Sequence, residues 1–238
     1  MTTPDEVNLE NAANGSQSPQ EPELAGGGEG SLAGSFVAGE LGAIAQRVAR
    51  ATIAPTPRSP NERDVLQHCV VEALRAVVSA PFEVAAHARL GLGEDLWPRL
   101  GAADAALRRN GQTVLLELKA YELGPCCWDV FKCAVAIREG VASAAYLLAC
   151  APVAVWNGKA PGPELFEDAQ WSAPDMYDRY GSWWRKWRQE SGMPPAVPAT
   201  GSTRRVAAAA FDHGGAPWEL RLVRVMVDPA GTWPFPTA

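Results

Sequence analysis

Alternating apolar and polar residues on both sides of Asn110-Gly111 predict a β-hairpin over residues 102–120. Asn-Gly is a preferred pair for a two-residue type I′ turn, because both residues of that turn need positive φ. With this turn Arg109 faces Gln112, and the register of the whole hairpin follows. One face of the hairpin is then apolar and carries Ala103, Ala105 and Leu107 opposite Leu118, Leu116 and Val114.

The other face of the predicted hairpin carries charges. Asp104 lies directly opposite Glu117, with Cβ atoms about 4.5–5.5 Å apart, and Lys119 points to the same side as Glu117. Like charges placed opposite each other destabilise a sheet. The three charges either form an ordinary solvated strand face or hold a divalent metal between the two carboxylates. Four of the 21 basic residues are Lys, which favours a specific role for Lys119.

A helical stripe of apolar residues from Asn61 to Ser79 predicts an amphipathic helix ahead of the hairpin. Glu62 lies in its first turn, where a carboxylate stabilises the positive end of the helix dipole. Glu62 also falls within the arc of the stripe, so its side chain can point toward the element on which the helix packs. Both interpretations stay open, and Glu72 at the margin of the stripe is an alternative acid.

Further elements surround the hairpin. A strand is predicted over Phe82–Leu90 before it, and a helix over Trp128–Glu139 after it. Asp129 and Lys132 are three residues apart, so they either form an ion pair on the helix surface or direct Lys132 toward the hairpin. The continuous apolar run Ala144–Ala151 predicts a strand that is buried on both faces.

The C-terminal part is predicted to add a helix and a second hairpin. Residues 165–190 read as a helix in which Trp alternates with Arg and Lys. That helix either packs its Trp side chains on the core or stacks them on nucleic acid. The runs Arg205–Phe211 and Trp218–Val227 predict the hairpin, with His213 in its loop.

Residues 1–58 differ in composition from the remainder and predict a mostly disordered acidic tail before one domain at 59–238. The tail holds seven acids and three Arg, so residues 59–238 have a net charge near −2 instead of the −6 of the whole chain. This balance does not indicate a strongly basic nucleic-acid-binding surface. Within the tail, apolar residues at helical spacing predict an amphipathic helix at 32–53, which either packs on the domain or docks a protein partner.

Several classes of protein are disfavoured by the sequence. It contains no apolar run of the length that crosses a membrane, and no secretory signal pattern is seen at its start. Five Cys without a Cys-x-x-Cys pair, together with three His, argue against a zinc site. Free thiols and the missing signal predict a cytoplasmic location.

An acid, a hairpin and then Glu117-Leu118-Lys119 resemble the PD-(D/E)XK nuclease superfamily. The resemblance extends from Asn61 to Cys150 and places Glu62, Asp104, Glu117 and Lys119 on the active-site positions of that family. It implies a restriction-endonuclease-like α/β fold of helix, three-stranded meander, helix and strand, with a central mixed sheet flanked by helices. The C-terminal helix and hairpin would be additions to that core. Ala103 is a departure, since it stands where the family name expects Pro.

The resemblance also implies a function, which is metal-dependent hydrolysis of phosphodiester bonds by a DNA endonuclease. Mg²⁺, with Mn²⁺ as a substitute, would be held by Asp104, Glu117, the Leu118 carbonyl and Glu62. Lys119 would orient the attacking water or stabilise developing charge, and Lys132 loosely matches a basic residue on the helix that follows the motif. Endonucleases of this fold are often dimers, so a homodimer is expected. The alternative is a catalytically inactive nuclease-fold protein that binds DNA or a protein partner.

Overall fold

The computed structural model describes residues 27–51, 65–89, 102–120, 123–124, 126–159, 162–180 and 196–234. The helices are α1 Gly27–Gly39, α2 Leu41–Ala51, α3 Gln67–Arg75, α4 Cys126–Arg138, α5 Val153–Trp156 and a further helix over 173–180. The strands are β1 Glu83–Arg89, β2 Ala102–Arg109, β3 Gln112–Ala120, β4 Ala144–Pro152, β5 Ala169–Ser172, β6 Ala196–Pro198, β7 Thr200–His213, β8 Ala216–Val227 and β9 Thr232–Pro234.

Seven strands form one mixed sheet in the order β1-β2-β3-β4-β8-β7-β5, and β6 pairs with β9 separately. β3 and β4 run parallel, and α4 connects them as a crossover. The other neighbours in the large sheet are antiparallel. The protein is therefore an α/β protein with a central mixed sheet flanked by helices.

Helices cover the large sheet on both faces, which explains why β4 is apolar along its whole length. One apolar cluster joins the buried faces of α1, α2 and α3 to Leu107, Leu116 and Leu118. The opposite cluster is built around α4 and includes Leu115. Ala103 was predicted to share an apolar face with Ala105 and Leu107. That prediction is wrong, because Ala103 belongs to the α4 cluster and the other two residues belong to the cluster around α1–α3.

The hairpin has the predicted turn, and its predicted register holds from the turn as far as Ala105. The predicted pairs of Asp104 with Glu117 and of Ala103 with Leu118 are not part of the backbone pairing. Asn110 has φ of 50° and Gly111 has φ of 76°, as a type I′ turn requires. The β2–β3 pairing runs from Arg109 opposite Gln112 to Ala105 opposite Leu116. Side chains of β3 that point away from α1–α3 therefore face α4, and Glu117 is among them.

The helical segment predicted at 32–53 has different bounds. It begins at Gly27 and is divided near Glu40 into α1 and α2. Its apolar positions Val37, Leu41, Ile44 and Val48 are buried in the core of the protein. α1 approaches β4 closely, since a Cβ on Gly34 would lie 2.4 Å from the Tyr146 hydroxyl. That hydroxyl donates a hydrogen bond to the Gly30 carbonyl at 2.6 Å.

The C-terminal part departs most from the prediction. The predicted helix 165–190 is interrupted by β5, and residues 181–195 lie outside the described residues with most of the Trp-rich run. The second hairpin is present and longer than predicted, with Gly214-Gly215 as its turn. His213 is the buried last residue of β7 and not a loop residue, because the turn begins one residue later. No helix within the described part of the chain is long and apolar enough to cross a membrane.

Candidate functional site

Glu117 lies on the α4 side of β3, where α4 covers it almost completely. Its side chain is 1 % exposed, and its Oε2 accepts a hydrogen bond from Lys132 Nζ at 2.6 Å. A carboxylate at this depth needs a partner, because removing an isolated charge from water is very unfavourable. The charged face of the hairpin is therefore buried against a helix, and the interpretation of an ordinary solvated face is wrong.

The partners of this carboxylate come from α4, which has apolar residues around most of its circumference. Such a helix is expected to be buried, so its charged residues must find partners inside the protein. Asp129 Oδ1 is 3.9 Å from Lys132 Nζ, and Asp129 Oδ2 is 3.0 Å from Lys119 Nζ. Asp104, Glu117, Lys119, Asp129 and Lys132 together are called the acid–amine cluster below.

Asp104 enters the cluster from the end of the β2–β3 pairing. The backbone pairs extend to Ala105 and Leu116, and beyond them Asp104 Oδ2 accepts a hydrogen bond from the Leu118 amide at 2.8 Å. A side chain thus replaces the next backbone acceptor of the hairpin. Because the N–H and C=O of a strand residue point to the same edge, the Leu118 carbonyl also points toward β2.

Gln67 of α3 fixes the backbone beside Asp104. It is 4 % exposed and donates through Nε2 to the Asp104 carbonyl. The same nitrogen is 3.3 Å from Nδ1 of His87, which has an unusual φ of 47°. Positive φ in a residue other than glycine is strained and persists when its surroundings hold it. α3 and β1 therefore contribute to the placement of Asp104.

Electrostatics within the cluster follow from its burial. Burial holds the pKa of Glu117 well above its ordinary value, although the Lys132 ammonium opposes this and the Asp104 charge adds to it. Burial lowers the pKa of Lys132, but the charges of Glu117 and Asp129 more than reverse this, so the pKa is raised. Lys132 therefore stays protonated, and Glu117 is the member of the pair whose protonation changes most readily.

Nearby thiols do not supply a nucleophile. All five cysteines are free and buried. Burial raises the pKa of Cys133 well above its ordinary value, and the Glu117 charge adds to this. A buried, protonated thiol is chemically inert compared with a thiolate, so the candidate chemistry belongs to the carboxylates and amines.

One atom of the cluster has no partner. Glu117 Oε1 is buried and accepts no hydrogen bond from any described residue. A buried carboxylate oxygen without a donor calls for a water, a proton or a cation. Within the described ranges, no three His, Cys, Asp or Glu side chains are grouped closely enough to hold a metal ion. Any cation here would therefore rely on two carboxylates, carbonyl oxygens and water.

The predicted site residues divide into three groups. Asp104, Glu117, Lys119 and Lys132 all contribute to the acid–amine cluster, whereas Glu62 lies outside the described residues. Lys119 pairs with Asp129, and the ammonium closest to Glu117 is that of Lys132. The surface interpretation of the Asp129–Lys132 pair is wrong, since both side chains are 9 % exposed.

Sequence reasoning alone missed the roles of one residue in the cluster and of one residue beside it. Asp129 was considered as a partner of Lys132 and not as a partner of Lys119, although its position in an otherwise apolar helix was a usable signal. Gln67 carries no comparable signal, because a polar residue at the start of a helix is ordinary. Its contact with Asp104 spans 37 positions of the chain.

Comparison with known proteins adds no relative: no family model matches this chain, and neither a curated protein nor a solved structure matches it significantly. The class is therefore defined by the molecule itself. It is an α/β protein with a mixed seven-stranded sheet and a buried acid–amine cluster where β3 meets the crossover helix α4.

Proposed function

We propose that this protein is a divalent-metal-dependent phosphodiester hydrolase with a restriction-endonuclease-like core, and that it cuts DNA. The observation that carries the proposal is the partnerless Glu117 Oε1 inside a cluster that also contains Asp104 and Lys119. The order of helix, three antiparallel strands, crossover helix and parallel strand supports the proposed core.

Mg²⁺ is the proposed cofactor, and its donors would be Asp104, Glu117 and the Leu118 carbonyl, with Glu62 as a further acid. These are hard oxygen donors, and Mg²⁺ commonly uses one or two carboxylates while keeping several waters. When bound, the ion would supply Lewis acidity and lower the pKa of a coordinated water. The partnerless Oε1 of Glu117 fits this role, because it is an acceptor that still needs a cationic or proton-donating neighbour.

The two amines of the cluster and Asp129 would have separate roles in the reaction. Lys119, with a side chain 15 % exposed, is the most accessible amine of the cluster and would contact the scissile phosphate. Asp129, 3.0 Å away, holds that amine in place. Lys132 is buried against Glu117 and would act as a positioning residue, since it fixes the carboxylate rather than touching DNA.

The test is cleavage of supercoiled plasmid by purified protein in Mg²⁺. Glu117→Gln and Lys119→Ala are each expected to reduce the rate at least about 100-fold, the loss typical when one electrostatic contact to a transition state is removed. Glu139→Gln is the matched control, because Glu139 is an exposed acid just after α4. Wild-type protein that does not cut any DNA, or variants that cut as fast as wild type, would overturn the proposal.

A second candidate function is favoured by the Lys132 contact. Its ammonium already lies 2.6 Å from Glu117 Oε2, so the chain supplies a cation where a metal-dependent enzyme would bind one. In this case the protein is an inactive nuclease-fold module that binds DNA or a protein.

Calorimetric titration with Mn²⁺ separates the two functions. Saturable binding by wild type that Glu117→Gln weakens supports the hydrolase. The binding module predicts no Mn²⁺ binding by wild type at millimolar concentration and binding by Lys132→Met, whose carboxylate has lost its internal cation. DNA binding that persists in chelator with no cleavage at any metal concentration would also favour the module.

A further inference from the structure

The outer edge of β7 is longer than the strand that covers it. β7 spans Thr200–His213, and β5 pairs only with Thr200, Gly201, Ser202 and Thr203. β8 pairs along the other edge of β7 over almost its whole length. Among the strands that the structure describes, none pairs with the outer edge beyond Thr203. Asp168 accepts a hydrogen bond from the Arg205 amide, so the row of backbone donors and acceptors left at the end of the sheet begins at Val206.

Proteins protect sheet edges with charges, Pro, β-bulges or very short strands. This edge has one bulge, between Arg205 and Ala207. Beyond that bulge, the run Ala207–Phe211 contains neither a charged residue nor Pro. Val206 is 39 % exposed, which makes it one of the few exposed large apolar residues among those described. Ala208 and Ala210 are also exposed, so the edge is accessible from the α4 face.

Charges of opposite sign stand at the two ends of the uncharged run. Arg204 and Arg205 precede it, and Asp212 follows it. The bulge between Arg205 and Ala207 shifts by one residue which side chains of β7 point to each face of the sheet. Arg205 pairs with Val223 and Ala208 pairs with Arg221, so Arg205 and Ala208 project from the same face. Asp212 projects from that face too, four residues after Ala208.

Self-pairing of this edge is complementary. In an antiparallel pairing centred on Ala209, Ala208 lies opposite Ala210 of a second copy, and Ala207 lies opposite Phe211 of that copy. Asp212 then lies opposite the bulge that contains Arg205, and two-fold symmetry repeats this contact at the other end. Arg205 already pairs with Glu167 at 3.0 Å, so Asp212 of the second copy joins an existing ion pair at each end of the pairing. The small side chains in the middle allow the two edges to approach.

We propose that two copies of this chain dimerise by antiparallel pairing of their β7 edges, residues 206–212, into one continuous sheet. The interface is isologous, because the same edge of each copy is used, so assembly closes at two copies and does not continue into a filament. The dimer does not depend on the hydrolase or on the binding module. It extends each seven-stranded sheet into a sheet of 14 strands, twice seven.

The first measurement is the mass of the wild-type protein by sedimentation equilibrium. We expect a concentration-dependent mass that approaches twice the 25.3 kDa of one chain. A mass of one chain at 0.5 mM protein would overturn the proposal.

A charge exchange then tests which edge is used. The variant Ala208→Lys with Ala210→Lys places like charges opposite each other and should raise the dimer dissociation constant at least tenfold. The variant Ala208→Lys with Ala210→Glu places opposite charges at the same positions and should dimerise at least as well as wild type. Both positions are exposed, so neither variant disturbs the core. Equal dissociation constants for the two variants would exclude this edge.

Discussion

Two groups of charged residues in this protein use similar side chains in different surroundings. The acid–amine cluster lies between β3 and α4, and the side chains of its closest pair, Lys132 and Glu117, are 9 % and 1 % exposed. The surface network joins Glu167 to Arg205 and Arg221 beside β7 and β8, and Arg221 also pairs with Glu219. Arg205 and Glu167 are 47 % and 41 % exposed.

The difference shows that burial, and not the number of charges, identifies a candidate site. An exposed ion pair contributes little and costs little, because water solvates both partners in either state. A buried pair loses that solvation and is often no better for stability than an apolar pair of the same size. The acid–amine cluster is therefore poorly explained as a stabilising feature, and its retention beside a partnerless carboxylate oxygen favours a functional role.

The surface network has structural explanations that the cluster lacks. The Arg221 guanidinium lies 4.3 Å from the centre of the Trp156 ring, a distance at which cation–π attraction applies. Asp168 accepts a hydrogen bond from the Arg205 amide at 2.6 Å. Its side chain thus supplies the next acceptor along β7 after the last backbone pair of β5. The contacts of Glu167 and Asp168 hold the link between the 3₁₀ helix Pro163–Phe166 and β5 against β7 and β8.

The largest expected effect on stability comes from removing one partner of the buried ion pair and leaving the other in place. Lys132→Ala should lower the free energy of unfolding by about 3–5 kcal/mol, because Glu117 loses its closest cation in a buried position. Urea denaturation measures the change, and Lys159→Ala on the exposed segment after α5 is the matched control. A loss below about 1 kcal/mol would show that the cluster is hydrated and resembles the surface network after all.

A double replacement sharpens the same comparison. Glu117→Leu combined with Lys132→Met removes both charges and keeps similar volumes, so the free energy of unfolding should return to within about 1–2 kcal/mol of wild type or exceed it. Asp129 keeps Lys119 as its partner at 3.0 Å. If the double variant is less stable than Lys132→Ala alone, the pair stabilises the fold and the functional argument loses its basis.

The pH dependence of stability distinguishes the cluster in a third way. Burial raises the pKa of Glu117 in the folded protein above its value in the unfolded chain. A group with a raised folded pKa contributes stability below its unfolded pKa and loses that contribution as the pH rises through the folded pKa. Wild type should therefore lose stability relative to Glu117→Gln as the pH increases from about 4.5 upward. Parallel denaturation curves at several pH values provide the measurement, and a difference that is constant with pH would contradict it.

Much of the fold near the cluster could be predicted because the relevant signals are local. Asn110-Gly111 determines the turn, the turn determines the register, and the apolar run at 144–151 reports a strand covered on both faces. That register also predicted Asp104 near Glu117, but the backbone pairing ends at Ala105 and Leu116, and the Asp104 carboxylate accepts the Leu118 amide instead of lying in a backbone pair with Glu117. Lys132 was a candidate only through the family resemblance, which expects a basic residue on the helix after the motif, and α4 carries it.

The remainder depends on contacts between distant parts of the chain. The pairing of Lys119 with Asp129 is set by how α4 packs on β3, which no short pattern encodes. The strand β5 was missed because Gln170, Trp171 and Ser172 have no alternation that distinguishes a short strand from a helix. Its pairing with β7 spans about 30 residues, so the partner and not the local sequence determines its structure.

The smallest expected effect is in the surface network. Glu167→Gln should lower the free energy of unfolding by about 0–1 kcal/mol, because both Arg205 and the carboxylate are already close to half exposed. Salt screens exposed charges, so the difference from wild type should shrink further between 0.05 and 1 M NaCl. The matched change Glu117→Gln in the acid–amine cluster should keep its effect over that range, since the buried pair is poorly screened. A salt-insensitive loss above about 2 kcal/mol for Glu167→Gln would mean that Arg221, 11 % exposed, makes this network behave as a buried one.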